Sequence, residues 1–226
     1  MSDKSKRLAA ERAIEFIQDG QVVGLGTGST AKFAIEGVAA KVRAGFKVTA
    51  IATSLATARM AEGLGIPLAD LNEVPDVDIT IDGADEIDGG LNMIKGGGGA
   101  LTREKLVALA SKKRVIIVDE RKLVSTLGES WPVPVEVLPF AWTRSALSIS
   151  ALGCAAQLRR VNDKPFETDN GNYILDCNFG PIINPSEMEK SINLIPGVVE
   201  CGLFVGIADL LVVGFDDDVE VRERKP

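Results

Sequence analysis

Apolar residues along the first half of the chain alternate between two spacings. Leu8, Ala9, Ala13, Phe16 and Ile17 recur at helical intervals and predict an amphipathic helix over residues 6–19. The run "QVVGLGTGST" then reads as a buried strand entering a glycine-rich turn, followed by a helix over about 31–42. A second strand, "KVTAIATS", precedes a helix over 55–64 that Gly65 ends. The third strand, 77–81, closes on the acids of "DGADEID". A loop and the stretch "IKGGGGALTREK" lead to a helix over about 100–110, and "KRVIIVDE" supplies a fourth strand. Strands alternating with helices predict an α/β fold, a parallel-rich sheet with helices on both faces (Rossmann-like), whose ligands bind beyond the C-terminal strand ends. The segments rich in glycine and acids all fall at such ends.

The pattern changes near Trp131. "VPVEVL" reads as a strand, 143–152 as a helix, and "AAQLRRV" with "NYILDCNF" as a hairpin joined through "NDKPFETDNGN". A helix over 185–194 and a last strand, "VVECGLFV", complete the order β-α-β-β-α-β, which is the ferredoxin-like arrangement. Residues 131–206 are therefore expected to form a smaller ferredoxin-like α+β domain. Residues 1–130 and 207–226 form the α/β domain, to whose sheet "DLLVVGF" and "VEVRER" return.

Charge and composition narrow the chemistry. A formal net charge of −7 argues against nucleic acid or an acidic membrane surface as partner. No apolar run is long enough for a membrane span, and the charged "MSDKSKRLAAERAIEF" lacks a signal-peptide core. A cytoplasmic protein is expected, a removed plastid transit peptide being compatible with that. With no histidine, histidine-based nucleophile triads and most zinc sites are excluded. Cys154, Cys177 and Cys201 are scattered and read as reduced, partly buried thiols. Acid–base work falls to carboxylates, lysines and hydroxyls.

Three segments are candidates for it. In "GLGTGST", bare N–H groups at a helix start, with the hydroxyls of Thr27, Ser29 and Thr30 around Gly28, suit a phosphate. A dinucleotide fingerprint would place glycine where Ser29 stands and an acid where Thr53-Ser54 ends the next strand. A tight strand–helix turn would also want small residues. The acids of Asp82–Asp88 suit a metal, proton sharing or sugar hydroxyls, and equally a solvated loop; their spacing is not that of an EF-hand. In "KGGGGALTREK", the glycines leave N–H groups able to hold an oxyanion, beside a cation at Lys95 and a candidate base at Glu104. Taken singly, Lys95 is also readable as a surface lysine and Glu104 as a helix-start acid favoured by the dipole.

A phosphate seat, acids, a lysine and a glutamate without histidine suit proton transfer between adjacent carbons through an enediolate, the logic of the glutamate base in triosephosphate isomerase. "GLGTGSTA", "DGADEID" and "KGGGGALTREK", in this order and spacing, resemble ribose-5-phosphate isomerase of type A, as do "PVEVLP", "TDNGN", "ILD" and "IPGVVECGLF". The resemblance implies interconversion of D-ribose 5-phosphate and D-ribulose 5-phosphate in the pentose phosphate pathway, with no cofactor and no metal, by a homodimer or homotetramer. It implies Glu104 as general base and Asp82, Asp85 and Lys95 as further catalytic residues. Substrate-binding positions would be Thr27, Gly28, Ser29 and Thr30; Asp82, Gly83, Ala84 and Asp85; Lys95, Gly96, Gly97 and Gly98; and Lys122, with Lys6 in reach of the phosphate. A non-catalytic phosphosugar sensor is the main alternative, and Glu104 with Lys95 argues against it, because binding alone needs no base. A coenzyme A transferase-like enzyme and a scaffold protein fit less well. Gly96→Val or Gly97→Val is expected to impair binding more than folding.

Overall fold

The computed structural model describes residues 2–224, so Lys225 and Pro226 of the "VRERKP" end lie outside the described residues. It divides into two units. The first takes residues up to 84, 103–122 and those from 207 onward; the second takes 85–102 and 123–206. The second unit thus reaches beyond the expected 131–206, and the division falls inside the helix Leu101–Leu109, between Thr102 and Arg103.

The first unit holds a 6-stranded sheet in the order Val219–Glu223, Leu210–Gly214, Ser111–Asp119, Val77–Asp82, Val22–Leu25, Thr49–Ala52. All neighbours run parallel except the Val219–Glu223 edge, which is antiparallel to Leu210–Gly214. The period of two sorts the side chains. Val23, Leu25, Ile79, Ile81, Val115, Ile117 and Val212 share one buried cluster with Ala9, Ala13, Ala34, Ile35 and Val38, from the helices Ser2–Ile14 and Ser29–Arg43. Ile51, which alternates with Ala50 of that cluster, belongs to a separate buried cluster with Val107 of the helix Leu101–Leu109, so both faces of the sheet are covered. Burying each such aliphatic side chain contributes about 1.5–3 kcal/mol.

The chain runs from Val22–Leu25 outward to Thr49–Ala52 and then crosses back to Val77–Asp82 on the other side. Strand order reverses between Val22–Leu25 and Val77–Asp82, and in an open α/β sheet that switch point opens the ligand crevice. The first helix differs from the expected 6–19: it spans Ser2–Ile14, its charged start carrying no apolar period to announce it. Its end tightens into i→i−3 bonds, from the Phe16 N–H to the Ala13 carbonyl at 3.1 Å and from the Ile17 N–H to the Ile14 carbonyl at 3.2 Å.

The second unit holds a 4-stranded antiparallel sheet in the order Val198–Cys201, Val133–Val137, Tyr173–Asn178, Ala155–Leu158, with the helices Trp142–Ser150 and Pro185–Asn193 between strands along the chain. That is the expected ferredoxin-like order. Three details were not expected. The link between Ala155–Leu158 and Tyr173–Asn178 carries its own small hairpin, Arg160–Val161 with Lys164–Pro165, turned through Asn162 and Asp163 at positive φ. The loop after Ala84 forms two short strands, Glu86–Ile87 and Met93–Ile94. The segment "VVECGLFV" is not one strand: it breaks at Gly202, and Leu203–Phe204 pairs instead with Met93–Ile94. At the break the Gly202 N–H donates to the Pro134 carbonyl at 2.7 Å, and a Cβ there would lie 2.2 Å from the Lys95 carbonyl oxygen.

Candidate active site

At the switch point of the first unit, Gly26 follows the strand Val22–Leu25 and its N–H donates to the Ile81 carbonyl at 3.0 Å. A Cβ on Gly26 would lie 2.0 Å from Asp82 Oδ1 and 2.6 Å from Asp82 Cα, so the two strand ends touch through bare backbone. Asp82, 2 % exposed, accepts at Oδ1 from the N–H of Thr27 (3.2 Å) and of Gly83 (2.7 Å). The Thr27 hydroxyl lies 2.8 Å from Thr53 Oγ1, 2.9 Å from Ser54 Oγ and 3.1 Å from Thr57 Oγ1. Thr53 and Thr57 in turn donate to the carbonyls of Leu25 (2.9 Å) and Gly26 (3.0 Å). The residues that replace a ribose-binding acid therefore fasten the glycine turn. Thr27 is held inward, while Gly28 and Ser29 are exposed where the helix Ser29–Arg43 begins. That helix start has no side-chain cap, whereas the next helix, Leu55–Gly63, is capped by Ser54 Oγ at the Thr57 N–H, 3.0 Å away.

Of two candidate lysines in the same unit, one meets this turn and the other follows a different strand. Lys6 Nζ donates to Ser29 Oγ at 2.8 Å, which brings it to the turn. Lys122 is half-buried in a short 3₁₀ turn, Glu120–Lys122, directly after the strand Ser111–Asp119. That turn is anchored by Asp119, which ends a buried strand and belongs to no motif of the sequence. Arg121 meets both its oxygens, at 2.8 and 3.0 Å. Burial pushes the Asp119 carboxyl up, but the Arg121 bond and charge, with Lys6, hold it below its ordinary value of 3.8.

The acids of "DGADEID" do not act as one cluster. Asp82 fastens the first glycine turn. In the second unit, Asp85 Oδ2 accepts from the Gly97 N–H at 2.7 Å. Glu86, 1 % exposed, accepts from the N–H groups of Gly128, Ser130 and Trp131 at 2.6–2.7 Å. Asp88 accepts from the N–H groups of Gly90 (2.8 Å) and Asn92 (2.9 Å). Each carboxylate anchors a different backbone segment, and among the described residues no group of three His, Cys, Asp or Glu could hold a metal ion. Cys177 and Cys201 are buried and Cys154 is half-buried, all as free thiols. A hydrogen bond with the Cys154 thiol, then burial, pushes the Cys177 thiol up, away from thiolate chemistry.

The four glycines lie in the second unit. Lys95 precedes them, 4 % exposed, with its N–H on the Gly202 carbonyl at 2.9 Å and its Nζ 5.5 Å above the Phe204 ring. It is not a surface lysine. Gly96 to Gly99 close a turn by a 2.9 Å bond from the Gly99 N–H to the Gly96 carbonyl, and Gly98 forms the exposed tip. Gly96 has φ +105°, and a Cβ there would meet Leu101 Cδ2 at 2.8 Å and Pro134 at 3.2 Å. A side chain at Gly96 therefore presses on the fold itself, so Gly96→Val is expected to cost stability as well as binding. At Gly97 a Cβ would press on Asp85 Oδ1, at 2.8 Å.

The helix Leu101–Leu109 buries Leu101 and Val107 but departs from the usual amphipathic order elsewhere. Glu104 and Lys105 are each 4 % exposed, while Leu106 and Leu109 are 55 % and 63 % exposed. Burying two charged residues on a helix that leaves leucines outside is unfavourable by itself, and local rules are broken in this way at functional sites. The helix start is tied down by Glu136, which is fully buried. Its carboxylate accepts from the Thr102 hydroxyl, from the Thr168 hydroxyl at 2.9 Å, and from the side-chain amides of Asn170 (3.0 Å) and Asn172 (2.8 Å). The "TDNGN" turn and the glutamate of "PVEVLP" are thus one hydrogen-bonded unit, a pairing across strands that sequence spacing does not reveal.

The profile of the family described as ribose 5-phosphate isomerase A (phosphoriboisomerase A) matches residues 49–218. Ribose-5-phosphate isomerase A of Gloeobacter violaceus is 54 % identical over 97 % of this chain and 96 % of its own. That of Parvibaculum lavamentivorans is 48 % identical over 98 % and 99 %. A solved structure of D-ribose-5-phosphate isomerase in complex with phospho-erythronic acid superposes with a TM-score of 0.96 at 41 % identity, covering 99 % of this chain and 100 % of that one. The ribose 5-phosphate isomerase A structure from Methanocaldococcus jannaschii superposes with a TM-score of 0.93 at 42 % identity, over 97 % and 98 %. Among the described residues no helix is long and apolar enough to cross a membrane. Fold, motif order and full-length likeness agree: the chain belongs to the ribose-5-phosphate isomerase A family of enzymes.

Proposed function

We propose that this enzyme interconverts D-ribose 5-phosphate and D-ribulose 5-phosphate through an enediolate, with Glu104 as the base. The open-chain aldose loses its C2 proton to the Glu104 carboxylate, and the C2–H electron pair forms the C1=C2 double bond as negative charge develops on O1. The proton returns to C1, and transfer of the O2 proton to O1 leaves the ketose. Lys95 and the N–H group of Gly98 hold the developing oxyanion, while the Gly97 N–H stays on Asp85 and keeps the turn in shape. Asp82 and Asp85 assist ring opening while keeping the glycine turns in shape, with Gly83 and Ala84 lining the same turn. Gly28, Ser29 and Thr30 seat the phosphate at the uncapped helix start, aided by Lys6 and Lys122. Thr27 shapes that seat from within.

The observation that carries the reading is the burial of Glu104 and Lys95, each 4 % exposed, on segments that would ordinarily show them to water. A chain that only sensed a phosphosugar would need no general base at this position. The relative that binds phospho-erythronic acid lends support, because the carboxylate of a phosphorylated sugar acid offers two oxygens on one carbon, much as an enediolate offers O1 and O2.

Solvent-deuterium exchange at C1 and C2 in Glu104→Gln tests the base. Loss of exchange and a fall in kcat of about a thousand-fold, with phosphosugar binding retained, is expected. Normal exchange in the variant overturns the assignment.

A further inference from the structure

Arg159 lies far from every motif, in "QLRRV", yet its guanidinium is placed against the glycine turn of the second unit. Nη1 donates to the carbonyls of Gly96 (2.9 Å) and Gly97 (3.1 Å). Nε and Nη2 meet the two oxygens of Asp176, at 2.9 and 2.5 Å, and the pair is largely shielded, with side-chain exposures of 15 % and 27 %. The backbone of Arg159 is fixed on both sides, its N–H on the Ile174 carbonyl at 2.9 Å and its carbonyl accepting from the Phe166 N–H at 2.8 Å. Phe166 closes over the turn: a Cβ on Gly99 would lie 2.4 Å from its ring. The small hairpin Arg160–Val161 with Lys164–Pro165 is what returns the chain from Arg159 to Phe166.

Peptide geometry turns these contacts into a functional statement. In a trans peptide the carbonyl of one residue and the N–H of the next point in opposite directions. With the Gly96 carbonyl on Arg159, the Gly97 N–H must point the other way, and it does, to Asp85 Oδ2. With the Gly97 carbonyl also on Arg159, the Gly98 N–H is likewise turned away from the guanidinium, at the exposed tip of the turn. We infer that Arg159 is a positioning residue of the isomerisation: by holding two successive carbonyls, it keeps the Gly97 N–H on Asp85 and fixes the direction of the Gly98 N–H that meets the enediolate oxygen. A planar fork suits this role and a lysine does not, since an ammonium cannot satisfy Asp176 and two carbonyls in one plane. This rests on the proposed role of the glycine turn.

Arg159→Lys tests it, with the urea midpoint measured alongside. We expect kcat/KM to fall about thirty-fold, chiefly in kcat, because the donors act on charge that develops in the transition state. Inhibition by phospho-erythronic acid should weaken by a similar factor, while inhibition by inorganic phosphate, which needs only the other turn, stays unchanged. Guanidinium chloride at non-denaturing concentration should restore activity to Arg159→Ala several-fold, and potassium chloride should not. If Arg159→Ala fails to fold, Arg159→Lys alone decides. Unchanged kcat and phospho-erythronic acid inhibition in the folded lysine variant overturn the inference, as does an equal weakening of both inhibitors, which marks a merely structural arginine. Activity in Glu104→Gln would instead fail the underlying reading, so the two failures are distinguishable.

Discussion

The two glycine turns solve one problem in two ways. In each, a glycine leaves no room for a Cβ against an aspartate of "DGAD", and that aspartate accepts an N–H from the turn: Asp82 at Thr27, Asp85 at Gly97. The remaining polar groups are treated differently. Around Gly26 the turn is fastened by neutral hydroxyls, those of Thr53 and Thr57 reaching the Leu25 and Gly26 carbonyls. Around Gly96 and Gly97 the carbonyls are held by a cation, Arg159, itself balanced by Asp176. The hydroxyls add no charge of their own at the helix start, where the dipole and Lys6 suit a permanently charged phosphate. A guanidinium fork imposes direction on two peptides at once, which suits an oxygen whose charge exists only in passing.

Substitutions at the glycines test whether both turns are closed equally. The largest effect is expected for Gly26→Ala, because the atoms it would strike include the Asp82 backbone at 2.6 Å. We expect a loss of about 3 kcal/mol in urea unfolding, with activity falling alongside. Gly96→Ala should cost about 2 kcal/mol, from positive φ and contact with the more yielding Leu101 side chain. If both are neutral in unfolding experiments, the turns have slack and the comparison fails. Thr57→Val removes one hydroxyl from the neutral cluster without changing shape, and should cost about 1 kcal/mol and raise KM roughly three-fold. A change in kcat with KM intact would place Thr57 in the chemistry and not under the phosphate seat.

Much of this was readable beforehand where burial follows a simple period. Val115–Val118 and Leu210–Val213 announce central strands, and strands alternating with helices place the motifs at strand ends. Contacts made by single side chains to distant backbone leave no period. Asp82, Asp85, Glu86 and Asp88 look like one acidic patch in sequence and divide among separate backbone segments in the structure. Arg159 reads as one more surface arginine, and nothing local announces the carbonyls of Gly96 and Gly97. The break at Gly202 is invisible within an apolar run, because its cause is the Lys95 carbonyl. Glu104 and Lys105 were misleading in another sense: amphipathic logic would bury Leu106 and Leu109 in their place.

The division of labour between the turns is most directly tested by inhibition constants for inorganic phosphate, measured side by side in Asp82→Ala and Asp85→Ala. Each variant frees one turn from its carboxylate. Phosphate inhibition should weaken at least ten-fold in Asp82→Ala, as a loosened seat loses its aligned donors, and stay within two-fold of the parent in Asp85→Ala, while both lose turnover. Equal weakening in the two variants, or weakening in Asp85→Ala alone, would contradict the assignment of phosphate to the first turn and the reacting oxygen to the second.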